Sequence, residues 1–205
     1  MRKFVICNVP MKSNVDRVVY KSDDLSMPVS ERAVRYPVSA FLEKTLSSGD
    51  ELKVLMLVKK DEYSHYEKNS QYFIDELNEI NKNIGAEIEF KVIDTEFEQS
   101  QAVHEQLMLK IVEEFEVGSH IIADITYGSK DVPIVLFAAL NFAEKFLSCE
   151  IDNMIYGQAS FDGSKPVNTK ICDVMPLYYL NAVTDTIECN EPEKAKQMLR
   201  TLLSL

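Results

Sequence analysis

Short apolar runs alternate with longer amphipathic segments along most of the chain. The apolar runs, each of a length that favours a buried β-strand, are Phe4–Cys7, Leu52–Val58, Ile88–Ile93, His120–Ile125 and Ile151–Tyr156. The segments between them repeat their apolar residues every three or four positions, which predicts helices over about 37–48, 64–84, 99–115 and 131–146. This alternation predicts an α/β fold of the Rossmann-like kind, a parallel sheet with helices on both faces.

Two regions depart from this alternation. Residues 11–36 have no clean period and carry Ser, Asp and Pro, so we expect a long loop with at most short ordered pieces. After Gly163, residues Val167–Cys172 are predicted to return as a late antiparallel strand, forming a hairpin. Further helices are expected at about 176–183 and 193–203. We therefore predict a Rossmann-like domain over 1–187 and a short helical appendage over 188–205.

The carboxyl ends of the first and fourth predicted strands carry the candidate site. In an open α/β sheet, ligands bind beyond the carboxyl ends of the strands, near the point where the strand order reverses. The predicted ligand-binding residues are Asn8, Val9, Pro10, Met11, Lys12, Ser13 and Asn14 after the first strand, and Asp124, Thr126, Tyr127, Gly128, Ser129 and Lys130 after the fourth.

The second of these segments has the residue types of an anion site. Gly128 lets the backbone approach a ligand closely, and Ser129 can cap the next helix. The free N–H groups of that helix and Lys130 would favour a negative charge. A plain strand-to-helix turn explains the same residues equally well. Asp124 ends an apolar strand, and we expect it to hold the loop rather than to transfer protons.

Composition narrows the class of ligand. The formal net charge of −11 argues against broad binding to long nucleic acid, but a few local lysines can still hold a small anion. No apolar run of about eighteen residues occurs, so no membrane span is predicted. The four cysteines form no CxxC pair, which favours buried free thiols in a cytoplasmic protein. The three histidines have no metal-ligand spacing, so neither a metal nor a cofactor is predicted.

The sequence Ile121–Pro133, IIADITYGSKDVP, resembles the fourth-strand motif of CARF domains, the CRISPR-associated Rossmann-fold sensors. In that motif an apolar strand leads into Asp-x-Thr-His-Gly, a short polar stretch and a proline that opens an apolar helix. Weaker likenesses lie in Arg35–Leu42 with the following Gly49, Asp50 and Val54–Val58, and in Ile171–Leu177. Together they cover most of residues 1–185. Tyr127 stands where His is common, and Ser129-Lys130 replaces the frequent aromatic–Arg pair.

The resemblance implies a ligand and a partner. CARF domains bind cyclic oligoadenylates made by type III CRISPR complexes, usually as homodimers with the ligand across the two-fold axis. In this chain Asn8–Asn14 and Thr126–Lys130 would line the pocket, and the apolar helix Val132–Leu147 would form the dimer contact. No motif of an effector nuclease or deaminase follows, so we expect either a standalone protein or the sensor portion of a longer one.

Three functions stay open at this point. The first is a sensor that binds cyclic tetra- or hexa-adenylate and relays that event to a separate effector. The second is a metal-independent ring nuclease that degrades the same ligand to products with 2′,3′-cyclic phosphate ends, with Lys130, Lys12 and Ser13 as its catalytic residues. The third is an unrelated nucleotide-binding α/β domain.

Overall fold

The structure, a computed structural model, describes residues 1–96, 98–185 and 187–204. Leu205, the last residue of the predicted appendage 188–205, lies outside the described residues. The strands are β1 (Arg2–Asn8), β2 (Val18–Val19), β3 (Ala33–Val34), β4 (Glu51–Lys59), β5 (Glu87–Thr95), β6 (His120–Asp124), β7 (Glu150–Asp162) and β8 (Lys165–Asp173). The helices are α1 (Pro37–Thr45), α2 (Tyr66–Asn81), α3 (Gln101–Val112), α4 (Asp131–Phe146), α5 (Met175–Asp185) and α6 (Pro192–Leu202).

Six strands form one sheet in the order β5-β4-β1-β6-β7-β8. All neighbours in it are parallel except β7 and β8, which pair antiparallel as the late hairpin. Helices α1 and α2 contact each other, as do α3 and α4, and the two pairs cover opposite faces of the sheet. The predicted Rossmann-like α/β class is therefore confirmed.

The order of the strands reverses between β1 and β6. From β1 the chain builds outward through β4 to β5, and it then returns to β6 on the other side of β1. The last residues of these two strands lie side by side, since Cys7 is in register with Asp124. Both candidate loops thus begin at the position where open α/β sheets bind ligands.

The predicted elements are confirmed, with differences at their ends. Helix α1 stops at Thr45 rather than at Gly49, because Leu46 has an extended backbone (φ −83°, ψ 140°). Strand β7 continues to Asp162, beyond the predicted end at Tyr156, since its hairpin partner satisfies its backbone groups where the apolar pattern has ceased. The long loop 11–36 contains the small antiparallel sheet of β2 and β3.

The described residues form two compact units, Met1–Asp173 and Val174–Leu205. The first contains the sheet, α1–α4 and the main core, and the second contains α5 and α6. The division predicted after residue 187 stays a prediction. Within the described ranges, no helix combines the length and apolar character needed to cross a membrane.

Helix α4 is apolar on more than one face, as its sequence predicts. It buries Val132, Val135, Leu136, Ala139, Leu140 and Ala143. On its other side Ile134 is 74% exposed and Phe146 is 69% exposed.

Candidate functional site

A pocket of about 630 Å³ opens at the carboxyl edge of the sheet, where the strand order reverses. Residues from both candidate loops line it. Its lining consists of Asn8, Val9, Pro10, Met11, Lys12, Tyr127, Gly128, Ser129, Lys130 and Asp131, together with Leu57, Lys59 and Gln99. Four predicted residues, Ser13, Asn14, Asp124 and Thr126, do not line this pocket.

Asn8 and Gly128 bring the two loops into contact. Gly128 has a φ of +101°, and a Cβ atom built there would lie 2.6 Å from Cγ of Asn8. Only glycine fits this backbone conformation and this approach. Asn8 is 4% exposed, and among the described residues its Nδ2 has no hydrogen-bond acceptor. A buried donor without an acceptor is costly, and here the fold leaves one unused in a residue that lines the pocket.

Helix α2 holds the loop after β1 through hydrogen bonds to the loop backbone. The side-chain Nδ2 of the buried Asn69 donates to the carbonyl oxygens of Pro10 (2.6 Å) and Lys12 (2.9 Å). The backbone N–H of His65 donates to the carbonyl oxygen of Met11 at 3.0 Å. Three successive carbonyl groups are thus held by one helix end, which orients the other side of the loop toward the pocket.

Asp124 and Thr126 hold the loop after β6. The Asp124 carboxylate accepts hydrogen bonds from the backbone N–H of Thr126 (2.8 Å), the Thr126 hydroxyl, and the backbone N–H of Val38 (3.2 Å). The Thr126 Oγ1 accepts a hydrogen bond from the backbone N–H of Gly157 at 2.7 Å. Both side chains are engaged within the fold, which agrees with the holding role expected for Asp124.

Burial makes the Asp124 carboxyl a weaker acid than an ordinary aspartate. Desolvation raises its pKa to about 6, although the hydrogen bonds from Thr126 and Val38 oppose this shift. The folded state therefore holds the proton more tightly than the unfolded chain, whose aspartate has a pKa of 3.8. The stability that this group contributes is fully present below the unfolded value and is lost as the pH rises through 6.

We expect this linkage to appear as a pH-dependent difference between the wild type and the Asp124→Asn variant. Relative to the variant, the wild type should lose about 2.5 kcal/mol of unfolding free energy between pH 4 and pH 7. Urea denaturation at several pH values measures the difference, in which groups common to both proteins cancel. A difference that stays constant across this range would contradict the assignment.

Tyr127 forms an aromatic wall of the pocket. Its hydroxyl donates to the carbonyl oxygen of Arg35 at 2.9 Å, and its ring meets the Tyr36 ring edge-to-face with centroids 5.8 Å apart. Burial raises the pKa of Tyr127 well above its ordinary value. The hydroxyl thus contributes to the packing of the fold. The ring lines the pocket, and the Nζ atom of Lys12 is 5.9 Å from the ring centroid.

Three lysines give the pocket a positive charge on an acidic protein. Lys12 and Lys130 are exposed, and neither ammonium group has an ion-pair partner in the part of the chain that the structure describes. Lys59 is mostly buried and lies near Asp131. Burial raises the pKa of Asp131, but hydrogen bonds and the Lys59 charge outweigh burial and leave it below its ordinary value. The Asp131 carboxylate is also 3.4 Å from Nε2 of His104.

The sequence prediction of the site omits Leu57, Lys59, Gln99 and Asp131. Lys59 ends β4, which is the neighbour of β1, so it reaches the same edge of the sheet. Gln99 precedes α3, and Asp131 is the first residue of α4. The rule that parallel strands end at one edge would have found Lys59 once β4 was placed beside β1.

A group of possible metal ligands lies at the opposite edge. The side chains of His120, Glu150 and Asp152 place one ligand atom each within 4.8 Å of one another, at the amino ends of β6 and β7. The Nδ1 atom of His120 is 2.8 Å from the Asp152 carboxylate, so a hydrogen bond already holds these two side chains together. It does not contribute to the pocket, and the expectation of no metal stays a prediction.

No protein-family model matches the sequence, and no curated protein matches it. The features that bear on function are therefore the pocket and the motif in Ile121–Pro133.

Proposed function

We propose that this chain is a sensor domain that binds cyclic oligoadenylate, as the tetra- or hexa-adenylate ring, in type III CRISPR antiviral signalling. The observation that carries the proposal is the meeting of the loops after β1 and β6 in one pocket. That pocket combines the unused donor of Asn8 with the ammonium groups of Lys12 and Lys130. This combination favours a ligand with phosphate oxygens.

The start of α4 supplies backbone donors for such a ligand. In the part of the chain that the structure describes, the N–H groups of Gly128, Ser129 and Lys130 have no hydrogen-bond acceptor. N–H groups before a helix and its dipole favour an anion at this place. The buried Asn8 donor beside them is a second feature that calls for an acceptor. A phosphodiester group satisfies both, and the Tyr127 ring offers an apolar surface to an adenine.

The proposed setting is the cytoplasm, and the proposed ligand is small. Cys7, Cys149, Cys172 and Cys189 are all free thiols, which favours a reducing compartment. The net charge of −11 opposes binding to long nucleic acid, because that binding needs a broad basic surface. A cyclic oligonucleotide needs only the local charge of the pocket.

We also propose that the protein forms a homodimer through the helix Val132–Leu147. The support is the exposed apolar side of α4, with Ile134 and Phe146. In such a dimer these side chains would be withdrawn from water, at a gain of about 25 cal/mol for each Å² of apolar surface.

The Ile134→Glu variant tests this contact. We expect its dimer dissociation constant to rise by at least about 100-fold, because a charged carboxylate would be buried against apolar groups. Sedimentation velocity over a concentration series measures the change. Leu25→Glu is the control, since Leu25 is fully exposed and lies in the loop between β2 and β3. A wild type that stays monomeric at all concentrations would contradict the dimer.

Ring cleavage is the second candidate, because Lys12 and Lys130 line one pocket. The 2′-hydroxyl would attack its adjacent phosphorus, form a 2′,3′-cyclic phosphate and release the next 5′-oxygen as a hydroxyl. This transfer needs neither water nor a metal, and lysine ammonium groups stabilise the charge that develops on phosphate. The third residue predicted for this chemistry, Ser13, does not line the pocket.

One incubation separates the three functions. The full chain is mixed with cyclic tetra-adenylate and, separately, with cyclic hexa-adenylate, and both retention and products are followed. Retention of an intact ring supports the sensor. Linear products with cyclic phosphate ends support the ring nuclease. If neither ring binds, the proposal fails and an unrelated nucleotide ligand becomes the better explanation.

A further inference from the structure

A second pocket, of about 690 Å³, adjoins the first, and Lys12 lines both. One wall of this second pocket is the chain after Lys12, including Ser13 and Asn14. The other wall is the β7–β8 hairpin, with Phe161 and Lys165. Two of the four predicted residues that the first pocket leaves out, Ser13 and Asn14, thus belong to its neighbour.

The second pocket is also positively charged. Lys12, Arg17 and Lys165 line it, against the single carboxylate of Asp16. Arg17 is 3.7 Å from the Glu79 carboxylate, whereas Lys165 has no ion-pair partner in the described ranges. Cations gathered in this way on a protein of net charge −11 form a local site for an anion.

An exposed aromatic ring stands beside these cations. Phe161 is 61% exposed and is in register with Pro166 across the hairpin. A phenylalanine ring that faces water next to positive charge is the pairing with which proteins bind single-stranded nucleic acid, the ring stacking on a base and the cation contacting the backbone.

Hydrogen bonds attach the β7–β8 hairpin to the two loops, at residues that line neither pocket. The backbone N–H of Gly157 in β7 donates to Oγ1 of Thr126, in the loop after β6, at 2.7 Å. The backbone N–H of Ile171 in β8 donates to the carbonyl oxygen of Lys21 at 2.7 Å. Because the hairpin is fixed to both loops, one ligand can contact both pockets without a rearrangement.

We infer that the ligand continues from the first pocket across Lys12 into the second, where Lys165 and Arg17 contact a further phosphate and Phe161 stacks on its base. This inference rests on the proposed function and specifies its substrate class. The ligand is an oligonucleotide of at least two phosphates, and a mononucleotide fills only the first pocket.

Binding of cyclic tetra-adenylate to Lys165→Ala and Phe161→Ala tests the inference. Each dissociation constant should rise about 10-fold or more, since a stacked base or a phosphate contact is lost. The two variants should differ in salt dependence. Lys165→Ala should lower the slope of log Kd against log salt by roughly 0.7, whereas Phe161→Ala should leave the slope unchanged. Lys82→Ala is the control for loss of a lysine charge, and Phe161→Tyr should restore stacking.

The outcomes separate this inference from the proposed function. If the ring binds the wild type and both hairpin variants equally well, the second pocket takes no part, and the inference is overturned while the proposed function stands. If the two variants weaken binding but Lys82→Ala weakens it equally, the loss of affinity comes from the overall charge of the protein, and the inference is also overturned. If the wild type binds no ring, both fail together.

Discussion

Gly128→Ala should weaken binding of cyclic tetra-adenylate by more than about 100-fold. The added Cβ would lie 2.6 Å from Cγ and 2.7 Å from Oδ1 of Asn8, where no atom fits. The φ of +101° adds strain for any residue other than glycine, which costs about 1–3 kcal/mol. Either the loop or Asn8 must move, and both line the pocket. Calorimetric titration measures the affinity, and thermal unfolding measures the strain.

Gly118→Ala separates the two effects. Gly118 has a similar φ of +74°, but a Cβ there meets nothing within 4 Å. It lies just before β6, at the amino edge of the sheet. We expect this variant to lose stability and to keep its affinity for the ring. Equal affinities for Gly128→Ala and Gly118→Ala would show that the contact between the two loops does not shape the site.

Asn8→Asp should weaken ring binding by about 100-fold with little change in shape. The substitution replaces the Nδ2 donor by a carboxylate oxygen at a position only 4% exposed. A donor toward phosphate becomes a like charge, and the new carboxylate also competes for the pocket lysines. A lost charge-assisted hydrogen bond of 1.5–3 kcal/mol corresponds to about 10- to 150-fold in affinity, and the repulsion adds to this.

The control for that charge is Asn83→Asp. Asn83 is exposed and follows α2, so its substitution adds the same charge away from the pocket. This control should bind the ring as the wild type does. An unchanged dissociation constant for Asn8→Asp would mean that the buried amide does not face the ligand.

Most of the fold could be predicted because each element carries its own pattern. The all-round apolar sequence of α4 predicted its bounds and its apolar character on more than one face. The end of β7 could not be predicted in this way. Its last residues are exposed on both faces and are stabilised by backbone pairing with β8, which leaves no apolar period to detect.

The site could be predicted only in part, because chain position does not give the direction of a side chain. Asp124 and Thr126 belong to the correct loop, but they point into the fold and hold it. Ser13 lies in the other loop, and Asn69 of α2 fixes its predecessor Lys12 so that Ser13 falls into the second pocket. The place of Lys59 in the site depends on β4 being the neighbour of β1. A local sequence pattern does not show which strands are neighbours.

The affinity of the double variant Lys12→Ala/Lys130→Ala for cyclic tetra-adenylate tests the central claim most directly. The control, Lys44→Ala/Lys82→Ala, removes the same charge from exposed lysines outside both pockets. Because the two pocket ammonium groups are taken to contact phosphate, we predict a loss of about 100-fold or more and a shallower salt dependence for the pocket variant, with the control close to the wild type. Equal affinities for the pocket variant and the control would contradict the account.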